Sequence, residues 1–513
     1  MSVVPESVDR LKRRLIMISD VRSAASLLRW DQEALMPPAG ASARAGVLAT
    51  LAGLSHELFI AAETGRLLDA AERDAGSLDP DSDEAALIRM TRRDYDRLTR
   101  LPTEFMAERA RESSLAIQVW REARRRSDFP AFRPSLEKMV DYARRAADYL
   151  GFTEHPYDAL LDLYEPDMKA REVDAIFARL REVTVPFVRA IASRPAVDDA
   201  FLHADYPEEG QRAFGLMVAE AFGYDLQRGR LDISAHPFAS GFNVNDVRIT
   251  TRYQRRYLPS AVFGIFHEAG HAMYEQGVAP SLDRTPLARG ASLGLHESQS
   301  RMWENLVGRS RPFWQHYFPA LQRQFPGQLR GVEVETFYRA VNRVHPSLIR
   351  VEADEVTYNL HIMLRFELEK ALLEGALRVD ALPGAWKERM EAYLGQTPPS
   401  DADGVMQDIH WSQGSLGYFP TYSLGNIISV QLYEAAQRAH PNLEADIGQG
   451  RFGTLLGWMR EHVHRHGRKF LPREILRRAT GSELTVEPYL RYLDRKFGEI
   501  YGVSAGTAAA AGD

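Results

Sequence analysis

Apolar positions recur at intervals of three and four over most of the chain, the signature of amphipathic helices that each bury one stripe. Val8 to Leu28 reads as such a helix, ending near Trp30-Asp31, and Met36-Pro-Pro-Ala-Gly40 breaks the pattern. Ala41 to Leu68 resumes as an Ala- and Leu-rich helix. Ser77-Leu-Asp-Pro-Asp-Ser82 interrupts it, and another helix runs from Asp83 towards Leu101-Pro102. Pro102 to Arg126 and Pro130 to Leu150 predict two more long helices, with Arg121, Arg124, Arg125 and Arg126 on a solvated outer face. Gly151 to Asp167 reads as a turn-rich connection, and helices follow through Arg189 and from Glu208 to Phe222.

The period changes at Leu231. Ile233 to Gly241 reads as a loop or irregular strand, whereas Asp246-Val-Arg-Ile-Thr-Thr-Arg-Tyr253 alternates β-branched with polar residues and predicts a strand. Its place directly before the next helix suggests a strand that lines a cleft and pairs with an extended peptide. That helix is opened by Pro259 and ended by Gly277, with Val262, Phe263, Phe266, Ala269 and Met273 as its apolar stripe. Further helices are expected over 292–308, 312–325, 332–344, 354–373, 386–394 and 424–439. No internal repeat or long linker divides the chain.

The helix after the strand carries His267-Glu-Ala-Gly-His271, which changes the picture from fold to chemistry. Helical spacing sets His267 and His271 one turn apart on one face, as two imidazoles on one zinc ion require. Glu268 sits beside that face and can take a proton from a water that the metal polarises. Gly270, a poor helix former, leaves room for another backbone or for a peptide to come close. A third ligand is needed, and Glu297 and Glu304 fall on roughly one helical face. Glu297 is favoured and Glu304 held in reserve, with His296 and Ser298 as groups that could support the ligands.

Composition sets limits on this reading. The 513 residues are 45% hydrophobic and 26% charged, which excludes a long disordered or collagenous chain. A net charge of −6 gives no reason to expect a nucleic-acid partner. Without cysteine there is no disulfide, and any metal must be held by His and carboxylate. Leu15-Ile-Met-Ile18 is too short for a signal-peptide core, and no run reaches the roughly 20 apolar residues of a membrane span, so a non-exported cytoplasmic protein with no membrane partner is expected. His462, His464 and His466 lie among Arg460, Arg465 and Arg468, in what reads as an exposed basic stretch rather than a second metal site. His236 is assigned either to a cleft wall or to the core.

His267-Glu-Ala-Gly-His271 followed by His296-Glu-Ser-Gln299 resembles the carboxypeptidase Taq family of metallocarboxypeptidases. His236-Pro-Phe238, Asp246-Val-Arg-Ile-Thr250, Ile349-Arg-Val-Glu-Ala-Asp354 and Gly404-Val-Met-Gln-Asp-Ile-His-Trp411 agree, as do Trp30-Asp31 and Met36-Pro37-Pro38. The resemblance implies a mainly helical zincin fold with a central cleft and a small β-sheet, similar to neurolysin and angiotensin-converting enzyme. It implies a single catalytic domain over 1–503, with two helical lobes flanking the cleft; the small-residue composition of 504–513 reads as a flexible tail. It also implies a homodimer that releases single residues from peptide C-termini with broad tolerance, using zinc, or cobalt in its place. His267, His271 and Glu297 are then the metal ligands and Glu268 the general base. An endo-oligopeptidase of the same fold is the alternative, and a binding protein with a vestigial site is a second rival.

A carboxypeptidase needs a cation for the substrate's free terminal carboxylate, and the planar fork of Arg suits it. Arg350 is the first candidate, with a salt bridge to Asp354 as the competing use. Arg248 is the second, with Asp246 as its competitor. Donors to the oxyanion are expected from His410 and from the Tyr418-Phe-Pro-Thr-Tyr422 loop, Tyr422 ahead of Tyr418.

Overall fold

The structure, a computed structural model, describes residues 4–506. Helices dominate it, with one three-stranded sheet. Of the expected tail over 504–513, only 504–506 fall among the described residues. The chain divides into two compact units. One takes the chain up to Thr99, Asp199–Val341 and Leu432–Leu484; the other takes Arg100–Asp198, Asn342–Gln431 and the chain from Thr485. Each unit draws on three separated stretches, so no linker marks the division in the sequence.

In the first unit the expected opening helix runs Glu6–Ala34 and buries Val8, Leu11, Leu15 and Ile18 completely or nearly so. They share a core with Phe59, Leu68, Leu87, Val244, Leu282 and Leu287. At about 1.5–3 kcal/mol for each large side chain buried, that cluster is a main source of this unit's stability. The single helix expected over Ala41 to Leu68 is instead two, Ala41–Ile60 and Ala62–Asp74. No Gly or Pro breaks it. Ala61 turns extended, and the freed Leu58 carbonyl accepts from Arg14 Nη2 at 3.0 Å and Thr64 Oγ1 at 2.7 Å. A side chain from the opening helix thus satisfies the helix end. No single helix among the described residues is long and apolar enough to cross a membrane; the bent pair Pro38–Ile60 and Ala62–Ser77 passes that test only as a pair.

The sheet holds β1 (Leu231–Ile233), β2 (Ala239–Asn243) and β3 (Asp246–Thr251) in the order β1-β3-β2. β3 pairs parallel with β1 and antiparallel with β2. Both its edges are therefore occupied, and the expectation that it pairs with a substrate is overturned: its backbone donors and acceptors are already spent. His236, in the loop between β1 and β2, is exposed, which rules out the core placement. The basic stretch is likewise corrected in part. His464 is fully buried, its Nε2 is 2.8 Å from Gln299 Oε1, and its ring lies 5.1 Å from that of Tyr274.

In the second unit Phe129–Leu150 and Tyr358–Glu374 bury broad faces, and the latter is buried along most of its length. Pro156–Leu161 forms a short helix inside the stretch expected to be only turns. Arg124, Arg125 and Arg126 are exposed as expected. Tyr422 does not lie in a loop: a helix begins at Pro420, and Tyr422 occupies its first turn.

Candidate active site

Leu258–Gly277 forms as its pattern requires, with Pro259 in the first turn, where a missing N–H breaks no bond, and with its apolar stripe buried. The His267 and His271 rings lie 4.9 Å apart. A Cβ on Gly270 would stand 2.6 Å from the Gln299 carbonyl oxygen and 2.7 Å from Ser300 Cα. The close neighbour is thus a second backbone, not a peptide. It belongs to the helix Leu293–Arg301, whose first turn is capped by Ser292 accepting from Leu295 N–H at 2.9 Å.

That helix carries Glu297, and after Arg301 it widens into a π-turn over Met302–Val307 that carries Glu304. The two carboxylates address different atoms of the same ring. Glu297 Oε2 lies 3.7 Å from His267 Nε2 and 3.5 Å from His271 Nε2, whereas Glu304 Oε2 lies 2.9 Å from His267 Nδ1. Two donors each about 2.1 Å from a shared tetrahedral centre stand about 3.4 Å apart, close to the separations of Glu297 from the two histidines. The ligand atoms of His267, His271 and Glu297 all lie within 4.8 Å of one another. Glu304 accepts from His267 Nδ1–H, which leaves the Nε2 lone pair for a cation. The donor set therefore fits a divalent metal.

Arg301 ties the two carboxylates together, its Nε 2.7 Å from Glu297 Oε1 and its Nη1 3.2 Å from Glu304 Oε2. It occupies one oxygen of Glu297 and leaves the other towards the histidines. Spacing could have flagged it, since it is four residues after Glu297. Beyond His271, His296 Nδ1 lies 2.6 Å from His271 Nδ1, and His296 Nε2 lies 2.8 Å from Glu275 Oε1. Ser298 instead donates to the Leu295 carbonyl.

The electrostatics favour a cation between these groups. Burial raises the Glu297 carboxyl, but the charges of Arg301 and His267 outweigh it and hold the group well below its usual range. Burial and the adjacent Arg301 act in the same opposed way on Glu304, which settles at about 2. Burial lowers His267, yet Glu297 and Glu304 reverse this and raise it, while burial takes His271 down to about 3 and keeps it neutral. Glu268 is pushed up to about 7 by burial, with His267 opposing and Glu297 and Glu304 adding. It has no hydrogen-bond partner among the described residues.

The second unit gathers another set. Arg350, at the start of the short turn Arg350–Glu352, is buried; its Nε and Nη2 lie 3.0 and 2.8 Å from Asp408 Oδ1, and its Nη1 donates to Tyr358 at 3.0 Å. Its partner is thus Asp408 and not Asp354. Asp354 instead accepts from the backbone N–H groups of His345, Val356 and Thr357. Arg365 donates to Asp408 Oδ2 at 2.7 Å, and Gln407 Oε1 accepts from both Arg350 N–H and Arg365 Nη2. His410 Nε2 lies 3.2 Å from the Tyr422 hydroxyl, and the Tyr418 and Tyr422 rings are 5.3 Å apart. Burial lowers His410 to about 4, with Arg350 and Arg365 adding to the effect. Arg248, in the first unit, is paired at both ends with Asp246 and stacked on Trp30 at 4.3 Å.

Residues 10–497 match the family described as Carboxypeptidase Taq (M32) metallopeptidase. The chain is 43% identical to thermostable carboxypeptidase 1 of Thermus thermophilus over 491 residues, 94% of this chain and 96% of that protein. It is 38% identical to carboxypeptidase 1 of Bacillus subtilis, over 97% of this chain and 98% of that one. The crystal structure of the M32 carboxypeptidase from Deinococcus radiodurans R1 matches with a TM-score of 0.95 at 44% identity, covering 97% of this chain and all of that one. A match of that length at that identity puts the chain in the carboxypeptidase Taq family of metallopeptidases.

Proposed function

We propose that the chain is a metal-dependent carboxypeptidase that removes residues one at a time from the free C-termini of peptides with broad side-chain tolerance. It would hold one zinc ion on His267, His271 and Glu297, with cobalt as an alternative. The observation that carries this reading is three lone-pair donors converging beside Glu268, a buried carboxyl with no partner among the described residues. Two imidazoles and one carboxylate, with no thiolate, suit zinc in a catalytic rather than a structural site. Bound there, the metal would polarise a water molecule and the scissile carbonyl.

Glu268, poised near neutrality, takes the proton of the attacking water and returns it to the leaving amine. Arg350 holds the substrate's terminal carboxylate. Asp408 and Tyr358 engage its Nε, one Nη2 hydrogen and one Nη1 hydrogen, so two of the five N–H donors of a guanidinium have no partner among the described residues and are left for that use. Arg248, already forked onto Asp246, is the second candidate. His410 and Tyr422 donate to the oxyanion of the tetrahedral intermediate, with Tyr418 as the second choice of tyrosine.

The test uses two peptides identical except for a free or an amidated C-terminus, incubated with zinc- or cobalt-loaded protein and with a chelator control, and read by mass spectrometry. Stepwise shortening of the free acid alone, abolished by chelator, is expected. Internal cuts in both peptides would overturn the reading in favour of an endo-oligopeptidase. A homodimer and a cytoplasmic location belong to the same proposal, tested by light scattering and by cell fractionation.

A further inference from the structure

The two histidines are supported differently at their second nitrogen. His267 Nδ1 meets a carboxylate directly, Glu304 Oε2 at 2.9 Å. His271 Nδ1 meets another imidazole, His296 Nδ1 at 2.6 Å, and only beyond that ring is there a carboxylate, Glu275 Oε1 at 2.8 Å from His296 Nε2. Glu275 lies one turn after His271 on the same helix, and His296 directly precedes Glu297.

Hydrogen-bond direction along this chain is fixed from its far end. An ionised carboxylate only accepts, so His296 Nε2 must carry the hydrogen. A neutral imidazole with hydrogen on Nε2 offers Nδ1 as an acceptor. His271 Nδ1 must then donate, and its Nε2 is left with a bare lone pair on the side of Glu297 Oε2, 3.5 Å away. The intervening ring is held in place: it lies 5.2 Å from the Tyr274 ring, and a Cβ on Gly290 would come within 2.7 Å of its Cδ2.

We propose that Glu275 and His296 are positioning residues that act through His271, fixing its tautomer and ring orientation for the metal by a two-step relay where Glu304 serves His267 in one step. The proposal rests on the metal reading of His267, His271 and Glu297. Outer partners of this kind are worth about 10- to 100-fold in metal affinity.

Zinc affinity is measured by competition with a chromophoric chelator on the full chain, with circular dichroism and the thermal midpoint as folding controls. His296→Phe keeps a ring but removes the acceptor and is expected to weaken zinc binding about 10- to 100-fold. His296→Asn can present its amide oxygen near the place of Nδ1 and is expected to recover most of that loss. Glu275→Leu weakens binding through the same chain, so the double variant Glu275→Leu/His296→Phe is no weaker than His296→Phe alone. The relay is overturned if His296→Phe or Glu275→Leu binds zinc like the wild type, or if His296→Asn is as weak as His296→Phe, which would make packing the cause. Should His296→Phe not fold, His296→Asn and Glu275→Leu decide the matter. His271→Ala separates the two levels of the claim: if it binds zinc as tightly as the wild type, the metal reading itself has failed.

Discussion

Around His267 and His271 the carboxylates of Glu268, Glu275, Glu297 and Glu304 outnumber the guanidiniums beside them, those of Arg289, Arg301 and Arg309, whereas at Gln407-Asp408 two guanidiniums share one carboxylate. One cluster is short of positive charge and the other of negative. An unmatched buried charge costs several kcal/mol, so neither imbalance persists for packing alone. The first suits a metal cation and the second a substrate carboxylate. Each unit thus carries a charge imbalance of its own sign, although the residues responsible are scattered along the chain.

The comparison can be broken one charge at a time. Glu268→Gln changes a carboxylate that has no hydrogen-bond partner among the described residues, so under the proposed mechanism turnover should fall about 10²- to 10⁴-fold while zinc content by plasma mass spectrometry stays the same. Near-normal turnover would take Glu268 out of the mechanism. Asp408→Asn removes the one carboxylate shared by Arg350 and Arg365 and should destabilise the protein by about 3–5 kcal/mol, read from the denaturant midpoint. A loss within about 1 kcal/mol would class the cluster with ordinary surface pairs and end the comparison. Gly270→Ala changes no charge but forces apart the helices that carry His271 and Glu297. An overpacking loss of about 1–3 kcal/mol with weaker zinc binding is expected, and unchanged affinity would show that the ligand spacing tolerates the shift.

How much of this was legible in the sequence follows the range of each interaction. His267, Glu268 and His271 depend on one helical turn, and the helix that displays them was readable from Pro259 and its apolar stripe. Glu297 and Glu304 share a helical face, and what separates their roles is the π-turn at Met302–Val307, which no spacing rule announces. Arg350 had an acid four residues away, but its true partner lies 58 residues on. β3 was recognisable as a strand, yet its occupied edges are a matter of pairing with β1 and β2, which alternation alone does not encode. The break at Ala61 carries no Gly or Pro signal, and of the two donors that satisfy the freed Leu58 carbonyl, Thr64 is local but Arg14 comes from another helix.

The discontinuous units also have a consequence for synthesis. Val8, Leu11 and Leu15 belong to a core completed by Leu282 and Leu287. At about 5–20 residues per second, those partners emerge roughly 15–55 s after the opening helix. Leu432–Leu484, the last stretch of the same unit, follows later still. Phe59, Leu68 and Leu87 reach that stripe early, but until Leu282 and Leu287 follow the core stays incomplete and part of it open to solvent, which makes the nascent chain a natural client for holding chaperones.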